Sequence, residues 1–323
     1  MSECSYPYAV SRIKVSEDTL LDQTQWNRLW EAGLDESYRL LHEMGYGQKA
    51  KNQNDIDSLT QANVAQAREL IREISPDRNL TDLMLLETDA HNVKAVLKGM
   101  LEDEEVNNLL LEGGSVPLPV LLECFEKDSF DPFPEKLREA IGKFSPDMPP
   151  RELSALIDDS VYQQIDSVLS NKKTSNALLK RYFTAKADFT NVITVLRLRS
   201  LGWEEKQLLP LIVADGDIPV ESLVKGLEAQ EEDLPEVLGA GAYAYFLKGA
   251  LREFVRDHDV PALTARLSKQ EYLIVHEEYT DPFGIGPIAN YVVRKELEAR
   301  TLRILFAGKR SGRQLPLSEL LPD

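Results

Sequence analysis

One helical segment occurs in three versions along this sequence. Residues 89–99 (DAHNVKAVLKG) match residues 188–198 (DFTNVITVLRL) position by position, and residues 298–308 (EARTLRILFAG) match them more weakly. Each version opens on an acidic residue, has Asn or Thr three residues later, and continues with apolar residues at helical spacing. The versions begin 99 and 110 residues apart. Recurrence at a nearly constant period is typical of repeat proteins, so this feature favours a fold built from similar helical units.

A proline-started helix is predicted after each version. Pro117, Pro219 and Pro316 each precede a pair of aliphatic residues by four positions. Proline suits the first position of a helix, because its missing N–H would have no partner there. A helical segment, a polar linker and a second helix therefore follow one another in the same order three times. We expect a true repeat; chance similarity among Leu-rich helices is the alternative. The expected units are residues 1–114, 115–217 and 218–323.

Helical periodicity also dominates the rest of the sequence. The clearest case is residues 286–306, where Pro287 suits a first helical position and the apolar residues lie largely along one side. Only 7% of the residues are aromatic, and no segment shows a convincing run of the alternating pattern that marks a half-buried strand. The predicted fold class is therefore all-α, with three similar helical-bundle repeats.

The charge balance and the apolar stretches restrict the possible partners. The formal net charge of −17 repels phosphate backbones, so we expect no nucleic-acid partner. The most apolar stretch, residues 237–247, has 11 residues, whereas a bilayer span needs about 20. Membrane contact is therefore expected only through a protein partner. Two isolated cysteines, Cys4 and Cys124, and an N-terminus without an apolar core favour a reducing, cytosolic compartment.

No motif in the sequence points to catalysis. The four histidines, at positions 42, 91, 258 and 276, form no H-x-x-x-H pair, and neither a phosphate-binding loop nor a G-x-S-x-G nucleophile motif is present. The two cysteines fit no metal-ligand spacing. We therefore predict no catalytic residue, no cofactor and no metal. An enzyme whose site is scattered through the fold is the alternative that motif analysis cannot detect.

The acidic residue and the Asn or Thr of each version lie one helical turn apart, on the same face. Three interpretations are open: the pair ties its helix to a neighbouring helix or loop, it contributes to a cation site, or it is exposed and faces a partner. The first is favoured, because buried polar side chains need partners and such contacts fix register. The predicted repeat motif consists of Asp89, Asn92, Asp188, Asn191, Glu298 and Thr301.

The C-terminal residues 286–312 (GPIANYVVRKELEARTLRILFAGKRSG) resemble a known family. They are similar to the last repeat of the C subunit of bacterial and archaeal V/A-type ATP synthases, which is related to the d subunit of the vacuolar ATPase. The residues that carry this resemblance are Pro287, Tyr291, Lys295, Glu296, Glu298, Thr301, Leu302, Arg303, Gly308 and Lys309. Tyr8, Ala9 and Arg12 match the start of the family. Thr301 departs from it, because Asn is expected at that position.

This resemblance implies a rotor part without catalytic activity. In the family, three helical units form a funnel with pseudo-threefold symmetry, which is a socket on the membrane proteolipid ring at the cytoplasmic face. The central-stalk subunits D and F dock into the socket, which transmits torque between ATP hydrolysis or synthesis and ion translocation. The implied partners are therefore subunits D and F and the ring. A helical-repeat scaffold that binds peptides on a concave face is the alternative.

Clustered cations after the repeat helices are candidates for partner contact, because this chain is otherwise acidic. They lie at the end of the second version of the helical segment or just after the second and third versions. A solvated loop is the competing interpretation. The candidate partner-facing residues are Arg197, Arg199, Lys309, Arg310 and Arg313.

Overall fold

The computed structural model describes residues 4–102 and 106–321, and within them every regular element is helical. The all-α prediction is therefore confirmed. The contacts divide the chain into two compact units, Leu83–Leu263 and a unit made of Met1–Asp82 with Thr264–Asp323. The threefold, funnel-like arrangement and the boundaries of the three repeats stay predictions. No helix in the described part of the chain is long and apolar enough to cross a bilayer.

The α-helices are numbered in chain order. Four short 3₁₀ helices, Glu17–Thr19, Asp82–Met84, Leu209–Leu211 and Glu231–Asp233, lie between them. The α-helices are α1 (Tyr6–Ser16), α2 (Gln23–Glu31), α3 (Leu34–Glu43), α4 (Ile56–Ile74), α5 (Arg78–Thr81), α6 (Leu86–Glu102), α7 (Leu118–Lys127), α8 (Glu135–Ile141), α9 (Pro150–Leu169), α10 (Ala177–Ser200), α11 (Glu205–Leu208), α12 (Val220–Glu228), α13 (Leu234–Leu238), α14 (Ala244–Asp257), α15 (Val260–His276), α16 (Gly286–Ser311) and α17 (Leu317–Leu320).

We call the unit made of Met1–Asp82 and Thr264–Asp323 the first unit. It is built around α16, which has 26 residues and packs extensively against α4. Pro287 lies in the first turn of α16, and Gly312, with φ of 71°, ends it in the left-handed conformation that glycine adopts without strain. Residues from both ends of the chain share the core of this unit. They are Leu21, Trp26, Leu29, Leu40, Leu41, Tyr46, Ile56 and Leu59, together with Leu302, Leu305 and Phe306.

The second unit, Leu83–Leu263, has α10 at its centre. This helix begins at the cap residue Asn176, whose side chain accepts a hydrogen bond from the Leu179 amide. It packs against α12, while α9 packs against both α6 and α8. Pro117 and Pro219 were expected to start helices. Each lies one residue before a helix, Pro117 before α7 and Pro219 before α12. Pro316 precedes α17, which has only four residues.

Candidate functional site

The six residues of the predicted repeat motif are all buried. Asp89 and Asn92 lie on α6, Asp188 and Asn191 on α10, and Glu298 and Thr301 on α16, and each side chain is at most 5% exposed. Burial of a polar side chain is costly unless hydrogen bonds replace those lost to water. None of the six is therefore available as an exposed partner contact. Instead, each pair belongs to a junction between its helix and another segment of the chain.

At the first junction, α6 holds the linker that leads to α7. Asp89 accepts hydrogen bonds from the Ser115 amide (3.1 Å), the Ser115 hydroxyl (2.5 Å) and the Val116 amide (3.1 Å). The Asn92 side chain bonds both backbone groups of Leu111, donating to its carbonyl and accepting from its amide at 2.8 Å each. The linker approaches so closely that a Cβ on Gly114 would lie 2.2 Å from an Asp89 oxygen. Glycine is therefore required there.

At the second junction, α10 holds the linker to α12 by fewer but corresponding contacts. Asp188 accepts from the Ile218 amide at 2.9 Å, and Asn191 bonds the carbonyl (3.0 Å) and the amide (2.8 Å) of Val213. A Cβ on Gly216 would lie 2.4 Å from an Asp188 oxygen. The helix–linker contact is thus repeated, in the same order along the chain.

One difference between these two junctions has an electrostatic consequence. Asp217 occupies the position that Ser115 has in the first junction, so the hydroxyl donor is replaced by a second carboxylate. Oδ2 of Asp188 is buried and accepts no hydrogen bond from the described residues. Burial raises the pKa of Asp188 to about 6; the Ile218 amide opposes this rise, and the charge of Asp217 adds to it.

At the third junction, α16 is joined to the N-terminal part of the chain. Glu298 accepts a hydrogen bond from the Leu21 amide at 2.7 Å and another from the Tyr46 hydroxyl. The ammonium group of Lys295, which is 1% exposed, contacts Glu298 at 3.2 Å and donates to the Thr19 carbonyl at 2.7 Å. Burial lowers the pKa of Lys295, and the charge of Glu298 opposes this change. A buried carboxylate and a buried ammonium therefore compensate each other.

The third junction is completed by a segment that the sequence did not identify. Val116 and Ile218 each lie two residues before the helix that follows them, and Leu21 lies two residues before α2. The donor amide thus has the same place relative to its helix in all three junctions. The sequence pattern instead indicated Pro316, downstream of α16. Among the described residues, this motif makes one contact with the segment after α16: the Thr301 hydroxyl donates to the Leu320 carbonyl at 3.4 Å.

Two of the five candidate cations donate hydrogen bonds to backbone carbonyls at the end of a helix. Arg199 donates to the carbonyls of Gly226, Leu227 and Ala229 (2.7–2.9 Å), at the end of α12. Lys309 donates to the carbonyls of Trp30 (2.9 Å) and Ala32, at the end of α2. Each cation follows the acidic residue of its motif by eleven positions. The last carbonyls of a helix lack intrahelical partners. Arg199 therefore caps the C-terminal end of α12, and Lys309 caps that of α2, in each case the helix that follows the segment held by the junction.

The other three candidate cations are exposed. Arg310 donates to the Tyr38 hydroxyl at 2.8 Å. Within residues 4–102 and 106–321, the guanidinium groups of Arg197 and Arg313 make no hydrogen bond or ion pair, and both side chains face solvent. A partner-facing role for these three residues stays a prediction.

Arg197 borders a groove of about 590 Å³ in the second unit. The groove lies among α6, α9, α10 and the segment after α10, with Leu201, Trp203 and Ile212 among its apolar walls. Lys94 at the groove is already paired with Asp158 at 2.5 Å. Arg197 therefore places at the groove a guanidinium that makes no ion pair within the described residues, although Glu87, Asp158 and Asp159 also line the groove.

The arrangement offers no described metal centre. Across the part of the chain that the structure covers, no three His, Cys, Asp or Glu side chains are grouped so that they could hold a metal ion. The motif carboxylates are used in contacts with backbone amides, hydroxyl groups and Lys295. What the geometry does is hold segments of backbone against long helices.

Comparison with known proteins places this arrangement in a family. The family model described as ATP synthase (C/AC39) subunit matches residues 9–315, nearly the whole chain. The chain belongs to this family. It is thus a subunit of an A/V-type ATP synthase, of the C-subunit kind, and the resemblance found in its C-terminal helix is confirmed over nearly its full length.

Curated relatives within the ATP synthase (C/AC39) family are similar over almost their whole length. The A-type ATP synthase C subunit of Methanosphaera stadtmanae is 24% identical, with 98% of this chain and 86% of the relative aligned. The proteins of the same name from Methanosarcina acetivorans and Thermococcus kodakarensis are each 25% identical. They align with 94% and 93% of this chain and over 89% and 85% of their own lengths, respectively.

Proposed function

We propose that this chain is a non-catalytic rotor subunit, a socket that joins the central shaft of an A/V-type ATP synthase to its membrane proteolipid ring. The observation that carries this proposal is the family match over residues 9–315. In this role the chain contacts central-stalk subunits D and F on one side and the ring on the other. It lies at the cytoplasmic face of the membrane and reaches the bilayer only through the ring.

The three junctions support a mechanical role. A part that transmits torque must resist deformation, and packed helices tied to linkers by several buried hydrogen bonds resist it because a displacement breaks these contacts together. Asp89 and Asn92 together make five hydrogen bonds to one linker. The most distinctive polar residues of the sequence therefore maintain shape, as expected of a part that links two motions without performing chemistry.

Exposed cations are the proposed partner contacts. Arg197, beside the groove of the second unit, and Arg310 and Arg313, at and just beyond the end of α16, are charges that this acidic chain presents to solvent. Opposite charges at a protein interface steer association and fix orientation. We therefore expect acidic side chains of the shaft or the ring to lie opposite these three arginines.

The proposal is tested by reconstitution of the whole enzyme with and without this chain. The stalk, the catalytic head and the ring are assembled in vesicles, and ATP hydrolysis and ATP-driven ion transport are measured in the same preparation. We expect hydrolysis to continue without this chain while transport is lost, and both to be coupled when it is added back. Transport that is equally coupled in its absence would refute the socket role.

A further inference from the structure

The three junctions differ in where the contacts of the buried carboxylate come from. The hydrogen bonds to Asp89 and Asp188 described above come from the linker that each junction holds. Glu298 receives one bond from Leu21, but it also contacts Lys295 on its own helix and Tyr46. The third carboxylate therefore depends least on the segment that its junction holds.

We propose that residues 4–22, defined here as the strap, detach from α16 as a unit while the other two junctions stay closed. A buried charge that loses its partner is strongly destabilising. A bound segment therefore leaves most readily where the charge that it contacts is compensated by groups that stay behind. Two features of the third junction meet this condition, and a third feature makes the strap itself weakly held.

The ion pair of the third junction stays with α16 when the strap leaves. Lys295 and Glu298 lie three residues apart on that helix, so they face the same side whether or not the strap is bound. Glu298 also keeps its bond from Tyr46, which lies outside the strap. Opening exposes a neutralised pair to water, and water replaces the bonds from Leu21 and to Thr19.

The second junction lacks this property. Asp188 has no lysine three residues before it, because Ala185 occupies that position. Loss of the Ile218 amide would remove a hydrogen bond from a carboxylate that is fully buried and whose Oδ2 already has no described partner. Opening there removes a hydrogen bond from a carboxylate with no ammonium three residues before it on its own helix, whereas at the third junction Lys295 stays beside Glu298.

Few apolar side chains hold the strap. In α1, only Ala9, Val10 and Ile13 are buried, and Leu20 and Leu21 follow before α2. Near the end of α1, Lys14 lies 3.5 Å from the centre of the Tyr279 ring, and Glu17 accepts from the Tyr279 hydroxyl at 3.3 Å. Local opening is expected where the buried apolar contacts are few.

Hydrogen–deuterium exchange of the intact chain, resolved to single amides, tests this inference at three equivalent positions. The amides of Leu21, Val116 and Ile218 each donate to a motif carboxylate. We expect the Leu21 amide to exchange at least about ten times faster than the other two, while amides in the middle of α4 and α16 stay protected. Equal or slower exchange at Leu21 would overturn the proposal.

A variant with a matched control separates strap opening from general loosening. Ile13→Ala removes a buried apolar side chain of the strap, and Leu121→Ala removes a buried apolar side chain of α7, outside the strap. Ile13→Ala should accelerate exchange at Leu21 about tenfold and leave Val116 and Ile218 unchanged; Leu121→Ala should not accelerate Leu21. Acceleration of all three amides by Ile13→Ala would show global unfolding and refute an independent strap.

Native-state proteolysis supplies a second measurement that does not depend on a variant. The strap contains the trypsin sites Arg12 and Lys14. Brief digestion of the folded chain should cleave at these two sites and leave α16 intact, because cleavage requires a locally unfolded segment. Cleavage within α16 that is as early as cleavage in the strap would contradict the proposal.

Discussion

Glu298 accepts a hydrogen bond from the backbone amide of Leu21 at 2.7 Å, across 277 residues of sequence. The same relationship, a helix carboxylate receiving the amide two residues before another helix, joins Asp89 to Val116 and Asp188 to Ile218. In those two cases the partners are only 27 and 30 residues apart. The junction is therefore a structural unit that does not require its two sides to be neighbours in sequence.

Loss of an amide side chain at a junction should destabilise the fold. Asn92→Ala and Asn191→Ala would each leave a backbone N–H and a carbonyl without partners, at Leu111 and Val213 respectively. The expected decrease in the free energy of unfolding is about 2–3 kcal/mol per variant, measured by urea titration. Asn79→Ala, at an exposed position in α5, is the control and should change it by less than about 0.5 kcal/mol.

A methyl group at either linker glycine should also be destabilising. In Gly114→Ala and Gly216→Ala the new Cβ would overlap an oxygen of Asp89 or Asp188, so the linker must move away from its helix. We expect a loss of about 1–3 kcal/mol in the free energy of unfolding. Gly249→Ala is the control: its Cβ would meet nothing within 4 Å, and it lies inside α14. That substitution should stabilise by up to about 1 kcal/mol.

The raised pKa of Asp188 should make stability depend on pH. Because this pKa rises from 3.8 to about 6 on folding, the folded chain binds the proton more tightly than the unfolded chain. The contribution of Asp188 to stability is therefore present below about pH 4 and is lost as the pH rises through about 6. Asp217→Ser removes the neighbouring charge and supplies the hydroxyl that Ser115 gives to Asp89. It should lower this pKa.

Denaturant titrations at two pH values measure the effect of Asp217→Ser. At about pH 7.5 the variant should be more stable than the parent chain by on the order of 1 kcal/mol, and at about pH 4 the gain should nearly vanish. Asp147→Ser, at an exposed position, removes the same formal charge and serves as the control. A gain of similar size at both pH values, or an equal gain in the control, would contradict the assignment to Asp188.

Reversal of the exposed charges at the end of α16 should weaken assembly while the chain stays folded. Arg310→Glu with Arg313→Glu places two negative charges where acidic partner side chains are proposed, and like charges across an interface repel. The double variant should bind the stalk or the ring at least about tenfold more weakly, measured by co-purification and titration at low salt. The control, Lys143→Glu with Lys172→Glu at other exposed positions, should bind normally. Unchanged binding of the first variant would remove these arginines from the interface.

Much of the fold is predictable from the sequence because its signals are local. Apolar spacing gives the long helices, and the recurrence of acidic and amide residues gives the positions of the junctions on α6, α10 and α16. The partners of Asn92 and Asn191 lie in the linkers that directly follow those helices, where the repeat places them. A sequence comparison therefore reaches the first two junctions without tertiary information.

The third junction could not be predicted in the same way. The motif of α16 has a downstream proline like the others, but Glu298 binds Leu21, and only three-dimensional packing connects the two. The roles of Arg199 and Lys309 were also hidden, because a cation near the end of a helix has the same sequence signature whether it caps a neighbouring helix or faces a partner. Their matching offset of eleven residues from Asp188 and Glu298 was the one available signal.

The distance between Leu21 and Glu298 has a consequence for synthesis. The two partners of the final junction are 277 residues apart, so Leu21 is translated long before the carboxylate that receives its amide. At about 5–20 residues per second, α1 and Leu21 leave the ribosome some tens of seconds before α16 exists. During that interval the apolar side chains of α1 have no native surface on α16. The native packing of α1 is therefore completed only after translation of the last long helix, although α4, against which α1 also packs, is available much earlier.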